Sequence, residues 1–307
     1  MTGILPIKKY GRHSALNMFS EFSMTEPDVF APYMGFTDAE VHSLCDTWGM
    51  SYEETRSWYD GYKLIGRIGA GGPGVVEAYS PKSIVEAMTR HSFGDYWNKT
   101  ETFEALRAYI DLNFDGLRDA VIALLAGGHR HISTGTFSND MTTFATADDV
   151  LTLLVHLGYL AYDQQTAEVF IPNREVAQEF VSSMSTGGWD EVTYAVRESA
   201  ALLQAIVAGD EIAVAHGVER AHQETSHISY NSEEALSYTL SLALFAARQW
   251  YTVMRELPAG KGFADLVFVP RRAYADKPAI VAELKWDKSA ETATVIDVKK
   301  QATGQSR

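Results

Sequence analysis

The chain of 307 residues has a single cysteine, Cys45, and no apolar run that could span a membrane. One cysteine excludes an internal disulfide bond and a zinc site built from several cysteines. The two most apolar stretches are 150–162, which is too short, and 238–254, which Arg248 and Gln249 interrupt, so no transmembrane helix is predicted. The residues after Met1 lack the pattern of a secretory signal, and a cytoplasmic protein is therefore expected.

Basic residues are also scarce, because 26 Lys and Arg stand against 40 Asp and Glu, for a formal net charge of −14. This charge argues against a general nucleic-acid-binding protein. The distribution is uneven, however, since residues 255–307 hold ten basic and seven acidic residues. The least acidic part of the chain is therefore its C-terminal part, which is compatible with a substrate that carries phosphate.

Two common functional motifs are missing. No Gly-x-x-x-x-Gly-Lys-Ser/Thr motif occurs, so the chain is not expected to hydrolyse ATP. The glycines of 69–74 are not followed by Lys-Ser/Thr and fit a surface turn. No two of the nine histidines have the i, i+4 spacing that a zinc-binding helix combines with an acid, and they are interpreted as ordinary core or surface residues.

Several helix starts can be identified from the sequence. Capping patterns predict helices after Thr37, Ser51, Ser80, Thr146 and Asn231, the last helix being strongly apolar and running to about Tyr251. A helix is also predicted over 103–126. Two strands, at 158–162 and 168–172, follow the helix after Thr146. This order, helices followed by a two-stranded wing, is typical of a winged-helix domain.

The C-terminal part contains the residues that suggest chemistry. The segment Gly262–Pro270 is a predicted strand with one acid, Asp265, and Ala279–Trp286 is a second strand with Glu283 and Lys285. Residues two apart on a strand point to the same side, and the short connection predicts a hairpin in which Asp265 and Glu283 meet. Two carboxylates suit Mg²⁺ or Mn²⁺, and a lysine can stabilise charge on a phosphate.

Less specific interpretations of the same residues remain open. Glu283 and Lys285 could lie on a solvated strand face, with Asp265 as a charge at the strand edge. Glu233 or Glu234, at the start of the apolar helix, could complete the metal shell or only stabilise the N-terminus of that helix.

Several motifs, taken in order, resemble those of bacterial proteins that join an AAA-ATPase-like domain to a C-terminal PD-(D/E)XK nuclease domain. They are Met1-Thr-Gly-Ile-Leu-Pro-Ile, Phe36-Thr-Asp-Ala-Glu-Val41, Trp58-Tyr-Asp-Gly-Tyr62, Tyr79-Ser-Pro-Lys-Ser-Ile84, Leu157-Gly-Tyr-Leu160, Ile171-Pro-Asn-Arg-Glu-Val176, Gly262 to Asp265, Pro278-Ala-Ile and Glu283-Leu-Lys285. The resemblance implies metal binding by Asp265 and Glu283 and a catalytic role for Lys285. Glu233, with Glu234 beside it, is similar to the family's early helix glutamate, and Gln301 to a glutamine in the helix after the strands.

The resemblance also implies an organisation of the chain. The fold class expected is α/β, α+β overall, with a mostly helical remnant of the ATPase-like domain at 1–75, a helical or winged-helix region at 76–190 and a nuclease-like domain at 191–307. The phosphate-binding part of the ATPase domain would lie before Met1, and the covering helix of the nuclease would be cut at Arg307.

The expected function is that of a magnesium-dependent or manganese-dependent nuclease module. Its partner would be nucleic acid, with DNA expected, and a missing ATPase domain is a further possible partner, whereas no membrane partner is expected. The alternative is a catalytically inactive fragment that binds nucleic acid or protein and has a regulatory role. The sequence leaves the oligomeric state open.

Overall fold

The computed structural model describes residues 22–67, 72–97, 109–110, 113–135, 137, 144–184, 190–224, 240–241, 243–259, 262–283 and 297–300. The chain forms two compact units, Met1–Phe180 and Val181–Arg307. The expected boundary between residues 75 and 76 falls inside the first unit, within a strand. The expected boundary between residues 190 and 191 lies ten residues after the division between the units.

The first part of the first unit combines three helices with a small antiparallel sheet. The sheet has the strand order β1-β3-β2. The elements are β1 (Phe36–Thr37), α1 (Asp38–Trp48), α2 (Tyr52–Tyr59), β2 (Tyr62–Arg67), β3 (Pro73–Tyr79) and α3 (Pro81–Arg90).

The helix starts in this part are confirmed. The backbone N of Thr37 donates to the carboxylate of Glu40 at 2.8 Å, and the Thr37 side chain accepts from the backbone N of Glu40, which is a capping box. The Ser51 side chain accepts from the backbone of α2, and that of Ser80 from the backbone of α3, which has Pro81 in its first turn.

The expectation that residues 1–75 are mostly helical was wrong for the stretch after α2. Strands β2 and β3 form an antiparallel hairpin in which Tyr62 pairs with Ala78 and Arg67 with Pro73. The physical reason is a two-residue alternation, since Tyr62 and Leu64 are buried while Lys63 and Arg67 are exposed. The end of the glycine-rich segment 69–74 that was interpreted as a surface turn, Pro73 and Gly74, belongs to β3, where Gly74 pairs with Gly66.

The second part of the first unit has three further helices and a second antiparallel sheet. The strand order is β4-β6-β5. The elements are α4 (Leu117–Leu125), β4 (Arg130–His131), α5 (Ala147–His156), β5 (Ala161–Asp163), β6 (Glu168–Phe170) and α6 (Arg174–Met184). The carboxylate of Asp149 accepts from the backbone N of Thr146 at 3.1 Å, as the capping pattern predicts.

The predicted helix over 103–126 is interrupted. A 3₁₀ turn, Phe114–Gly116, precedes α4, and Asn113, Asp115 and Gly116 all have positive φ angles. These residue types tolerate the left-handed conformation better than most, and that conformation ends a right-handed helix. The interruption therefore has a local cause.

The second unit packs helices against a four-stranded antiparallel sheet of order β10-β9-β8-β7. The helices are α7 (Asp190–Ala208) and α8 (Glu211–Glu224), and the strands are β7 (Tyr251–Ala259), β8 (Gly262–Pro270), β9 (Ile280–Glu283) and β10 (Asp297–Lys300). Leu202, Leu203 and Val218 of the helices join Leu266 and Phe268 of β8 in one buried cluster.

One expectation for the second unit was wrong in its details. The apolar helix predicted to run to about Tyr251 is replaced over its last residues by a 3₁₀ helix, Phe245–Gln249, and β7 begins at Tyr251. Short 3₁₀ stretches are frequent where α-helices end. The covering helix that the resemblance implies, with Gln301 in it, lies outside the described residues, and the preceding Asp297–Lys300 forms β10 and pairs with β9. The described part of the chain is an α+β mixture of helices and small antiparallel sheets.

Candidate metal centre

The two strands that carry the predicted acids are neighbours. Strand β8 pairs with β9 in antiparallel fashion, with Leu266 opposite Ala282, Val267 opposite Val281 and Phe268 opposite Ile280. This register, continued by one residue, brings the position of Asp265 opposite that of Glu283. The hairpin expected from the sequence is therefore present.

The same register position continues onto the outer strands. Asp297 of β10 is the partner of Glu283. On the other side, Arg255 pairs with Leu266 and Leu257 with Ala264, so Glu256 between them lies opposite Asp265. We call these four positions, Glu256, Asp265, Glu283 and Asp297, the acidic row. The sequence analysis missed Glu256 and Asp297, because it assigned neither β7 nor β10.

Asp265 lies on the face of β8 that is opposite to the helices. Leu266, Phe268 and Ala282 belong to the buried cluster beneath the helices, and residues alternate between the faces of a strand. The face of Asp265 includes Val267, which is 7% exposed, and Met254 and Val269, which are 37% and 38% exposed. Asp265 itself is partly exposed. A cation from solvent can therefore reach this carboxylate.

Carboxylates in a row of neighbouring strands repel one another unless a cation is bound. Side chains directly opposite in an antiparallel pair have Cβ atoms roughly 4.5–5.5 Å apart, and like charges there are destabilising. Carboxylate oxygens bind Mg²⁺ at ~2.1 Å, and this ion accepts such hard ligands. The residue types and register positions of the row thus fit a divalent cation.

The remaining predicted site residues cannot be added to this geometry. Lys285, Glu233, Glu234 and Gln301 lie outside the described residues, and for Glu256, Glu283 and Asp297 only the backbone position is described. The side chains that are described contain no group of three or more His, Cys, Asp or Glu residues arranged to hold a metal ion. The candidate centre therefore rests on the strand register and on the exposure of Asp265.

The first unit carries a buried acid that the sequence did not reveal. Glu175, near the start of α6, is 1% exposed, and its Oε1 accepts from the backbone N of Tyr96 at 2.7 Å. Its second oxygen, Oε2, is buried without a hydrogen-bond partner. Burial, with the charge of Asp95 acting in the same direction, raises the pKa of Glu175 to about 7. This carboxyl group is therefore half protonated near neutral pH.

Helix α5, which precedes the β5-β6 pair, is not suited to contact nucleic acid. Eight of its residues, Ala147 and Asp149–Val155, are buried, and Asp148 in its first turn is also acidic. Burial also lowers the pKa of His156, at the end of this helix, to about 4, so the imidazole is neutral at pH 7. A helix that reads DNA presents basic side chains to the groove, and α5 contains no Lys or Arg.

No protein-family model, curated protein or solved structure matches this chain. Among the helices of the described residues, none is long and apolar enough to cross a membrane.

Proposed function

We propose that the second unit is a metal-dependent phosphodiesterase that acts on nucleic acid, in line with the resemblance of its motifs to PD-(D/E)XK nucleases. The observation that carries the proposal is the register that aligns Asp265, Glu283 and Asp297 on three adjacent strands. The partial exposure of Asp265 supports access by solvent and substrate.

Asp265 and Glu283 would hold Mg²⁺ or Mn²⁺, with Asp297 as a further oxygen ligand. When bound, the metal polarises the phosphodiester and lowers the pKa of water. Lys285 follows Glu283 by two residues, and its positive charge would stabilise the phosphate oxygens as negative charge develops on them. Glu256 would add negative charge on the outer side of Asp265, which strengthens the attraction for a divalent cation.

We also propose that the second part of the first unit has the topology of a winged helix. The order α4, β4, α5, β5, β6 with the sheet order β4-β6-β5 supports it. Because α5 is buried and acidic at its start, we assign this region to packing within the first unit and place nucleic-acid contact on the second unit.

The direct test is cleavage of labelled single-stranded and double-stranded DNA and of RNA, each with Mg²⁺ or Mn²⁺. We expect Asp265→Asn and Lys285→Ala each to lower the rate by ~100-fold or more, because each removes charge from the reacting centre. Asp276→Asn is the matched control, since Asp276 is exposed in the connection between β8 and β9. Equal rates for the wild type and Lys285→Ala would refute the assignment.

A second candidate is a binding or regulatory module without catalytic activity. Such a module would bind an oligonucleotide without cleaving it under any metal condition, and the same cleavage assay separates the two functions.

A further inference from the structure

A group of cations gathers at the corner of the second unit where β8 ends and β7 begins. Arg271 follows the last residue of β8, and its backbone N donates to the carbonyl of Trp250 at 2.9 Å. Arg248 belongs to the 3₁₀ helix that precedes β7, and Lys277 to the connection between β8 and β9. We call these three residues, Arg248, Arg271 and Lys277, the cationic corner.

The three side chains are held by aromatic rings and a carbonyl group. The guanidinium carbon of Arg248 lies 5.5 Å from the centre of the Phe245 ring, and Nζ of Lys277 lies 4.9 Å from that of Trp250. Nε of Arg271 donates to the carbonyl of Tyr251 at 3.4 Å. Among the ion pairs of the described residues, none includes Arg248 or Arg271. The two arginines therefore have no ion-pair partner among the described residues.

The pKa values of the two arginines indicate that their positive charges are unfavourable in this arrangement. Both are partly buried. Burial, together with the positive charge of Arg271, lowers the pKa of Arg248 to about 10, and burial lowers the pKa of Arg271 as well. Two like charges in a partly buried site are costly unless an anion joins them. The chain as a whole is acidic, with a net charge of −14, so the two neighbouring arginines are not the result of a basic composition.

We propose that Arg248 and Arg271, with Lys277 beside them, form a binding site for a phosphate group. Guanidinium groups donate two parallel hydrogen bonds to a phosphate, which makes arginine well suited to such a site. The source of the phosphate is the backbone of a nucleic acid, or alternatively a small free phosphate compound. The first source rests on the proposed function, whereas the second does not.

The cationic corner is separate from the acidic row. Arg271, just after the end of β8, follows Asp265 by six residues. At the ~3.4 Å rise per residue of an antiparallel strand, these two positions lie about 20 Å apart. A nucleic acid that reaches both places would contact the corner several nucleotides away from the reacting phosphate. The corner therefore acts in binding and orientation, and its residues are not catalytic residues.

The experiment measures binding without metal, in EDTA, so that cleavage plays no part. One arm follows the fluorescence anisotropy of a labelled 20-nucleotide single-stranded DNA and of its duplex at several salt concentrations. The other arm follows the thermal shift produced by inorganic pyrophosphate. The variants are Arg248→Gln, Arg271→Gln and Arg248→Lys, and the matched control is Arg272→Gln, which removes the same charge from an exposed neighbouring side chain.

We expect Arg248→Gln and Arg271→Gln each to weaken binding by ~10-fold or more, the usual loss for a hydrogen-bonded charged contact. For DNA, the slope of log affinity against log salt should fall by about 1. Arg248→Lys should lie between the wild type and Arg248→Gln, and Arg272→Gln should change affinity by less than ~2-fold. A loss in the DNA arm identifies the nucleic acid as the source, and a loss confined to pyrophosphate identifies a free phosphate compound.

A structural role for the arginines predicts a different result. If Arg248 only stabilises the fold, Arg248→Gln lowers the melting temperature and leaves the affinity of the remaining folded protein unchanged. The phosphate site predicts a melting temperature without anion at or above that of the wild type, because the repulsion from Arg271 is removed. Unchanged affinity in both arginine variants, or an equal loss in Arg272→Gln, would overturn the inference. DNA binding that depends on the corner, combined with no cleavage in the separate assays with Mg²⁺ and Mn²⁺, would refute the proposed nuclease and leave this site intact.

Discussion

The buried carboxyl group of Glu175 should make the stability of the first unit depend on pH, and Glu175→Gln should remove this dependence. In the folded chain its pKa is about 7, against about 4.5 for an ordinary glutamate. The native state therefore binds a proton more tightly than the unfolded state, and stability falls as the pH rises between these two values. The contribution is fully present below about pH 4.5 and is lost as the pH passes about 7.

The magnitude follows from the size of the shift. One pKa unit corresponds to about 1.4 kcal/mol, so the full effect is about 3 kcal/mol, of which about 2.5 kcal/mol falls between pH 5 and pH 8. Glutamine keeps the shape of the side chain and cannot ionise. The free energy of unfolding of Glu175→Gln, relative to the wild type, should therefore rise by about 2–3 kcal/mol when the pH is raised from 5 to 8.

The assay is urea-induced unfolding at pH 5, 6, 7 and 8, followed by fluorescence, since Trp97 lies one residue after the backbone N that contacts Glu175. Glu53→Gln, at an exposed glutamate of α2, serves as the control for the loss of one carboxylate. A difference between Glu175→Gln and the wild type that stays constant with pH would refute the reasoning, and so would an equal pH dependence in Glu53→Gln.

Two further substitutions test the local structure of the first unit. Gly61→Ala should destabilise it by more than about 3 kcal/mol, because a Cβ atom at Gly61 would lie 1.9 Å from the carbonyl oxygen of Pro172 at a φ of +140°. Gly49→Ala should cost only about 1–2 kcal/mol, because φ is +64° there but no atom lies within 4 Å of the added carbon. Equal losses of stability in the two variants, measured by thermal unfolding, would contradict the steric explanation. Thr37→Ala should lower the stability by about 1 kcal/mol, because it removes the capping box of α1. Ser43→Ala, on the exposed face of that helix, should lower it little. A loss of stability in Thr37→Ala no larger than that in Ser43→Ala would argue against the cap.

Features with a local cause could be predicted from the sequence. The caps at Thr37, Ser80 and Thr146 depend on residues within four positions, and the structure has helices that begin there. The β8-β9 hairpin was also predicted, since its strands are short and their connection is brief. Periodicity and turn signals are sufficient for such elements.

Features that depend on distant partners could not be predicted in the same way. Strand β7 follows an apolar helical pattern, and its identity is decided by pairing with β8. The burial of Glu175 and the proximity of Arg248 to Arg271 arise only when separate segments pack together. The β2-β3 hairpin is different, because the alternation of Tyr62, Lys63 and Leu64 was a visible signal that the helical expectation passed over.

The most direct test of the central claim is the binding of Mn²⁺, followed by electron paramagnetic resonance, to the wild type, Asp265→Asn and the control Asp276→Asn. If the register row around Asp265 holds a divalent cation, Asp265→Asn should weaken Mn²⁺ binding by ~10-fold or more, as the loss of a ligand that carries charge requires, and Asp276→Asn should bind like the wild type. The same Mn²⁺ affinity in all three proteins, each confirmed to be folded by circular dichroism, would contradict the assignment of the metal centre.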